Sequence, residues 1–348
     1  MNDSTATRPL TAVVILNWNG SRLLREFLPQ AIANTSPDYG RIIVADNGSS
    51  DDSRRILAEE FPDVKTILFD HNYGFAEGYN MAIASLTDYR YTVLLNSDVA
   101  PDKGWLETLT AYMEANRHVA ACQPKILSYK NPSHFEYAGA SGGYLDRNGY
   151  PYCRGRIFAD CEEDRGQYDS ATEVFWASGA ALMVRTQAYL DAGGLDPEFF
   201  AHMEEIDLCW RMALRGHTIV CVPAASVRHL GGGSLPAENP RKTYLNFRNN
   251  LLMLHKNLPE SCRRRKLLWR RILDTAAWAN FAVRLDFANA AAIVRAHRDF
   301  ARMRRKYTSH PAGNLLGSTP QSRLNILTAY YLQRKRRYSQ LFKKVQGQ

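Results

Sequence analysis

A repeated alternation of short apolar runs and helix-like segments fills the first third of this 348-residue sequence. Apolar and β-branched residues predict strands at 12–16, 41–45, 64–69 and 91–95. Segments of helical periodicity separate these strands. Because strand–helix–strand units place successive strands side by side and parallel, the pattern predicts an α/β domain. Its core would be a mostly parallel, twisted sheet flanked by helices.

Polar side chains follow each of these four strands at the point where the strand ends. Asn17 and Trp18 follow the first strand, Asp46 the second, Asn72 the third and Asp98 the fourth. One such residue is ordinary turn chemistry, but four in succession at one sheet edge predict a ligand site. The first loop lacks Gly-x-Gly-x-x-Gly, and no Gly-x-x-x-x-Gly-Lys loop occurs, which argues against dinucleotide and P-loop proteins.

The chain divides into two parts of opposite charge. Residues 255–348 hold 21 Lys and Arg against 4 Asp and Glu. Because the whole chain carries +9, residues 1–254 carry −8. We therefore predict a catalytic domain over 1–258 and a basic, helical C-terminal region over 259–348. The acidic first part argues against a dedicated nucleic-acid-binding protein, so no nucleic acid partner is expected.

The C-terminal region contains a basic amphipathic stretch that begins at Arg263. Such a stretch can rest on an anionic membrane surface, or its basic face can simply be solvated. An exposed apolar stripe in 267–294 would instead favour a homodimer. No apolar run approaches the roughly 18 residues that a membrane span requires, and the N-terminus lacks the features of a signal peptide. The expected location is the cytoplasm or, with membrane docking, the inner face of the plasma membrane.

Eight segments, in a fixed order, resemble the inverting family 2 glycosyltransferases of GT-A fold. They are VVILNWNG at 13–20, VADNGSSD at 44–51, NYGFAEGYN at 72–80, LLNSD at 94–98, SGAA at 178–181, GGLD at 193–196, EEIDLCWR at 204–211 and HLGGGS at 229–234. The resemblance covers about 10–258 and is greatest to the rhamnosyltransferase-like members that build bacterial surface polysaccharides. It implies the GT-A type nucleotide-diphospho-sugar transferase fold, with the helical C-terminal region as an appendage.

The resemblance also implies which residues bind the donor. The predicted nucleotide-sugar-binding residues are Asn17, Trp18, Asp46, Asn72, Gly74, Ser97, Gly179 and Arg248. Asp46 would bind the pyrimidine base, helped by Asn17 and by packing from Trp18. Two interpretations of Arg248 remain open from the sequence, because its side chain could reach the diphosphate or could be solvated on a helix.

For catalysis, the resemblance implies one metal ion and one base. Asp98 would hold Mg²⁺ or Mn²⁺ against the diphosphate, with His229 as a second ligand, and Glu205 stands at the position of the catalytic base. This sequence departs from the family at two points. Asn96 replaces the first carboxylate of the Asp-x-Asp motif, and the base position, often Asp, is Glu, which leaves Glu204 and Glu205 as alternatives.

The predicted reaction moves one sugar from a dTDP- or UDP-sugar, dTDP-rhamnose among them, to a hydroxyl of a glycan or lipid-linked acceptor. One base and one metal ion suffice because the diphosphate is already a good leaving group. A sugar-nucleotidyltransferase is the alternative enzyme, although the first loop offers only Arg22 to hold a triphosphate. A non-catalytic nucleotide-sugar-binding homologue would bind the nucleotide without transferring a sugar.

Overall fold

The computed structural model describes residues 10–231 and 239–342. The strands are β1 (Thr11–Asn17), β2 (Gly40–Asp46), β3 (Lys65–Leu68), β4 (Tyr91–Asn96), β5 (Val99–Pro101), β6 (Val119–Ser128), β7 (Gly143–Leu145), β8 (Pro151–Cys153), β9 (Arg156–Ile157), β10 (Asp160–Cys161), β11 (Thr172–Val174), β12 (Ala181–Arg185) and β13 (Thr218–His229). The helices are α1 (Ser21–Asn34), α2 (Ser53–Glu59), α3 (Gly74–Ala84), α4 (Trp105–Ala115), α5 (Thr186–Asp191), α6 (Glu204–Leu214), α7 (Pro240–Asn257), α8 (Glu260–Val283), α9 (Phe287–Met303) and α10 (Pro320–Arg323). No helix within these two ranges combines the length and the apolar character that crossing a bilayer requires.

A nine-stranded mixed sheet forms the centre of the molecule. Its strands run in the order β11-β13-β6-β12-β4-β1-β2-β3, and β5 pairs with β13. The β3, β2, β1 and β4 strands are parallel, whereas β12 lies antiparallel between β4 and β6. Apolar side chains on both faces of β1 and β4 are fully buried, as expected for strands covered by helices on each side. The predicted sheet and its four parallel strands are confirmed.

A second, four-stranded antiparallel sheet, in the order β10-β9-β8-β7, lies between β6 and β11 in the chain. The C-terminal segment packs against it. The Tyr338 ring stacks on Tyr144 and Tyr152, and Tyr152 donates to the backbone carbonyl of Gln321 at 2.9 Å. The C-terminal region is therefore built onto the catalytic part by direct contacts, while the functional division at residue 258 stays a prediction.

The helical prediction for the C-terminal region is confirmed, although the helices become short beyond Lys306. The α7, α8 and α9 helices account for most of 240–303, and from 307 to 342 one- or two-turn helical segments at 320–323, 326–332 and 338–340 alternate with irregular chain. Aromatic contacts help to hold this segment, as the edge-on packing of Phe158 against Tyr330 shows.

Candidate active site

The predicted donor side of the site is built around Asn17 and Asp46, the last residues of two adjacent parallel strands. Both side chains are completely buried. Asn17 Nδ2 donates to Asp46 Oδ2 at 3.1 Å, and Arg54 Nε donates to Asp46 Oδ1 at 2.7 Å. Burial raises the pKa of Asp46, but hydrogen bonds from Ser49, Arg54 and Asn17 outweigh burial and hold it below its usual range. Asp46 is therefore an ionised, fully bonded group.

Two groups beside this pair remain available to a ligand. Asn17 Oδ1 is buried and has no hydrogen-bond partner among the residues that the structure describes. The Trp18 side chain is 55% exposed, which is unusual for so large an apolar group at the end of a buried strand. A buried acceptor without a partner next to an open aromatic face suits a planar base with a hydrogen-bond donor.

Asn47 holds the third strand-end loop in place. Its Nδ2 donates to Asn72 Oδ1 and to the Gly74 carbonyl, both at 3.0 Å, and its Oδ1 accepts from the Tyr73 backbone at 3.0 Å. Gly74 has a φ of +81°, and a side chain there would collide with the Phe200 ring. Asn72 and Gly74 are thus brought to the same edge as Asn17 and Asp46, as predicted.

Asp98 and His229 meet at the end of β4, although 130 residues separate them in the chain. His229 Nε2 lies 3.1 Å from Asp98 Oδ1, and the Leu230 backbone donates to the Asp98 carbonyl at 3.0 Å. Glu136 Oε2 lies 3.1 Å from His229 Nδ1, on the other side of the ring. Burial alone would lower the pKa of His229, but its hydrogen bonds with Asp98 and Glu136 raise it to about 10.

The Asp98–His229 pair fits one metal ion with two protein ligands. A carboxylate oxygen and an imidazole nitrogen converge at 3.1 Å, a donor set that Mn²⁺ and Mg²⁺ accept once the imidazole releases its proton. Within the described ranges no group of three His, Cys, Asp or Glu side chains is arranged to hold a metal ion. Further ligands would have to come from the donor's phosphates. Gly232, Gly233 and Ser234, which follow His229 in the predicted motif, lie outside the described residues.

Glu205 lies at the same edge of the sheet. Gly179 stands opposite the end of β4, since the Asn96 backbone donates to the Ala180 carbonyl at 3.0 Å. A Cβ on Gly179 would come within 3.8 Å of Glu205 Cβ. Ser97, the residue between Asn96 and Asp98, is half-buried at this edge. The predicted base and the predicted metal-binding turn are therefore on the same side of the molecule.

The two adjacent glutamates differ in burial, and the pKa of each is raised. Glu204 is buried, whereas Glu205 keeps some exposure to the site. Oε2 of each has no hydrogen-bond partner among the described residues. Burial raises the pKa of Glu205 to about 7, and burial together with the charge of Glu205 raises that of Glu204. Carboxyl groups with a raised pKa and an unpartnered oxygen mark functional sites, because stability alone would favour giving them a hydrogen-bond or charge partner.

A strained loop leads into these glutamates. Phe200, His202 and Met203 all have φ between 63° and 74°, in the left-handed region that side chains disfavour. Asn249 Nδ2 holds the loop by donating to the carbonyls of Phe199, Ala201 and His202 at 2.7–2.9 Å. Such strain persists only where the surrounding structure enforces it, and here one buried amide does so.

Arg248 has different contacts from those predicted. Its Nη2 donates to the Glu198 and Phe199 carbonyls at 2.9 and 3.0 Å, and its Nε donates to Asn249 Oδ1 at 2.9 Å. The guanidinium is buried, and its Nη1 donates to the Tyr244 hydroxyl at 3.3 Å, so its donors contact the loop before α6 and side chains of α7 and it is not solvated on the helix surface. The reason is the position of α7, which runs behind that loop.

Three residues important to this edge have no clear signal in the sequence. Glu136 lies in the irregular segment before β7, Asn47 is one of several loop residues, and Asn249 is a polar residue in a helix. Each contacts partners that are distant from it in the sequence. Only the structure shows that Asn249 is fully buried, so that its amide needs partners.

The chain is similar to known glycosyltransferases in sequence and in fold. Residues 12–170 match the family model for glycosyl transferase family 2. The N-acetylglucosaminyl-diphospho-decaprenol L-rhamnosyltransferase of Mycobacterium tuberculosis is 26% identical over 239 residues, which cover 64% of this chain and 76% of that relative.

Solved structures show the fold. The crystal structure of GalNAc-T7 with UDP, GalNAc and Mn²⁺ has a TM-score of 0.56 at 15% identity, covering 73% of this chain and 49% of that one. The mannosyltransferase of Pyrobaculum calidifontis in complex with GDP-Man and Mn²⁺ has a TM-score of 0.50 at 16% identity, covering 86% and 85%. The family match over residues 12–170 and the strand-end site identify a family 2 glycosyltransferase domain in this chain, and its fold is GT-A-like.

Proposed function

We propose that the enzyme transfers one sugar, with inversion, from a dTDP- or UDP-sugar to a hydroxyl of a glycan or lipid-linked acceptor in cell-surface polysaccharide synthesis. The similarity to a rhamnosyltransferase whose name specifies a diphospho-decaprenol acceptor supports rhamnose as the sugar and a lipid-linked acceptor. The donor would lie across the strand ends, with its base against Trp18 and Asn17.

The observation that carries this proposal is the placement of Glu205. It is a partly buried carboxyl with a pKa raised to about 7 and an unpartnered oxygen, and it lies beside Gly179 at the edge that holds Asp98. A general base works best when its pKa is near the working pH. Glu205 meets that requirement.

In the proposed mechanism, Glu205 accepts the proton of the acceptor hydroxyl as its oxygen attacks the anomeric carbon. The attack comes from the face opposite the diphosphate, so the new bond has inverted configuration. Asn249 would position Glu205 through the loop that it holds, and Asp46 would orient Asn17 towards the base. Bound between Asp98 and His229, Mg²⁺ or Mn²⁺ would neutralise charge on the departing diphosphate.

The first test compares Glu205→Gln with Glu204→Gln. Glu205→Gln should leave nucleotide binding intact and lower kcat by about 10²–10⁴-fold, the usual contribution of a general base. Glu204→Gln should lose much less. In the parent enzyme kcat should fall as the pH drops through about 7, where Glu205 becomes protonated. The assignment is wrong if Glu204→Gln is the variant that loses turnover. Nucleotide binding by the parent without turnover of any donor would establish the non-catalytic alternative.

The second test concerns the metal ion and the nucleotide. A ligand that binds only the folded state raises the thermal midpoint, so a screen of dTDP, UDP and GDP with and without Mn²⁺ should show one metal-dependent shift. Asp98→Ala should remove the metal-dependent part and keep a smaller, metal-independent one. A larger shift with nucleoside triphosphates than with diphosphates would favour the sugar-nucleotidyltransferase.

A further inference from the structure

The α8 helix has its polar side packed inwards. The side chains that it buries are Arg263, Arg270 and Asp274. Arg270 donates to Asp274 Oδ1 at 3.1 Å and to Asn250 Oδ1, and its guanidinium stacks 3.9 Å from the centre of the Tyr150 ring. A polar network therefore fixes α8 to the rest of the molecule, which is the reverse of the usual arrangement for a surface helix.

The apolar residues of α8 and its neighbour α9 face outwards. The large exposed apolar side chains of this hairpin are Leu268, Trp269, Ile272, Trp278, Val283, Leu285, Phe287 and Val294. On α8, Leu268, Ile272 and Val283 fall within one third of the helix circumference, since each residue advances about 100°. Large contiguous apolar patches on a surface mark contact with a protein or a membrane.

Exposure is greatest at the tip, where α8 turns into α9. Val283, Leu285 and Phe287 are 83%, 74% and 64% exposed. Leu285 has a φ of 59° in a turn closed by hydrogen bonds from its own backbone to Ala282 and from Asp286 to Phe281. Glycine normally occupies such a left-handed position at the end of a helix. A leucine at this position strains the backbone, and its apolar side chain projects into solvent.

The charge around this apolar surface is strongly basic. Arg264, Arg265, Arg271 and Arg284 are exposed on α8 and at its end. From 261 to 298 the sequence contains two acidic residues. Asp274 is buried with Arg270 and His297, and Asp286 caps α9 by accepting from the Asn289 backbone. The outer face of the hairpin thus combines apolar side chains with exposed arginines. Arg264 lies 3.8 Å from Glu260 at the start of α8, whereas Arg265, Arg271 and Arg284 form no ion pair with any residue that the structure describes.

A cavity of about 470 Å³ continues the basic surface along α9. Its lining residues are Arg241, Tyr244, Arg295, Arg298 and Asp299. Arg295 lies eight residues beyond Phe287, which is about 12 Å along a helix. An apolar tip followed by arginines at this spacing matches the depth profile of a bilayer surface, where acyl chains give way to phosphate groups.

We propose that the α8–α9 hairpin docks on an anionic bilayer, with Val283, Leu285 and Phe287 inserted at the boundary of headgroups and acyl chains. The arginines would contact lipid phosphates. Charge complementarity favours this occupant over a second copy of the chain, because a two-fold interface would bring like-charged arginines together. The link to a lipid-linked acceptor rests on the proposed function, whereas docking is measured without donor or acceptor.

The test is co-sedimentation with vesicles of phosphatidylcholine alone and of phosphatidylcholine mixed with phosphatidylglycerol. The parent protein should pellet with the anionic vesicles and be released by salt. The triple variant Val283→Ser/Leu285→Ser/Phe287→Ser should bind roughly a hundredfold more weakly, because three apolar groups no longer leave water. The control Ile32→Ser/Leu68→Ser removes apolar side chains that are 41% and 59% exposed on the catalytic part, and should bind like the parent.

Two results would overturn the proposal. One is equal, salt-insensitive binding of the parent and the triple variant to both kinds of vesicle. The other is a parent that is dimeric by light scattering and ignores vesicles, with a triple variant that is monomeric, because the apolar surface would then be a protein interface. Since the substituted side chains are exposed, the triple variant should keep its thermal midpoint. Hydrolysis of the donor, followed separately, tests the proposed function and not the docking.

Discussion

The catalytic part and the C-terminal hairpin use buried charge in opposite ways. Glu204 and Glu205 are buried acids whose second oxygens have no partner among the described residues, and the pKa of each is raised. In the hairpin Asp274 is buried between Arg270 and His297, and those partners hold its pKa below the usual range although burial alone would raise it. An unpaired buried acid costs stability and indicates chemistry, whereas a paired one indicates architecture.

The two parts also differ in their apolar residues. The catalytic part encloses them, as the completely buried Val13, Val93 and Leu94 show. The hairpin exposes Leu285 and Phe287 at its tip. Enclosed apolar residues stabilise the sheet, whereas exposed apolar residues offer a binding surface. Substitution of the enclosed residues should therefore mainly affect stability, and substitution of the exposed ones should mainly affect function. Three predictions, from the largest expected effect to the smallest, test that contrast.

Arg270→Leu should have the largest effect on stability. It removes the partner of Asp274 and of Asn250 and leaves a buried carboxylate without its arginine. Breaking a buried pair from one side costs about 3–5 kcal/mol. Urea unfolding should show this loss, with donor hydrolysis retained in the folded fraction. Arg271→Leu is the matched control, since Arg271 is exposed and the change should stay within about 0.5 kcal/mol. Equal losses would contradict a structural role for the buried arginine.

Glu205→Gln should stabilise the fold while it lowers kcat. The pKa of Glu205 is raised in the folded state, so its protonated form is favoured: that stabilisation is complete below about pH 4.5 and is lost as the pH rises through about 7. At pH 8 the glutamine variant, which never ionises, should be more stable by about 3 kcal/mol, and at pH 5 the difference should shrink. Denaturant midpoints at both pH values measure this. Glu59→Gln, at an exposed site on α2, should show no such pH dependence.

Leu285→Gly should have the smallest effect, with opposite signs for folding and docking. Glycine adopts the left-handed φ of 59° without penalty, so the thermal midpoint should rise by the equivalent of about 1 kcal/mol. Vesicle binding should weaken because one inserted side chain is gone. A variant that is neither more stable nor weaker in docking would show that this leucine has no role at the tip.

In the catalytic part, the sequence predicted well those strands and helices that depend only on the local sequence pattern. The strands β1 to β4 and the helices between them were located because each follows its own periodicity and ends in turn residues. The strand β6 was missed, since Gln123, Pro124 and Lys125 interrupt its apolar pattern. The strand β13 continues through a bulge to His229, because pairing with β6 and β5 extends it.

The sequence by itself determined the strand-end site and, through motif order, the family, because parallel strands must bring their carboxyl ends to one edge. Tertiary structure alone decided which side chains meet there. It paired His229 with Glu136, bonded Arg248 to the loop before α6 and used Asn249 to hold that loop before Glu205. These contacts join residues 47 to 93 positions apart, and local pattern carries no information about such distances. The same holds for α8, where only packing revealed that the polar side faces inwards.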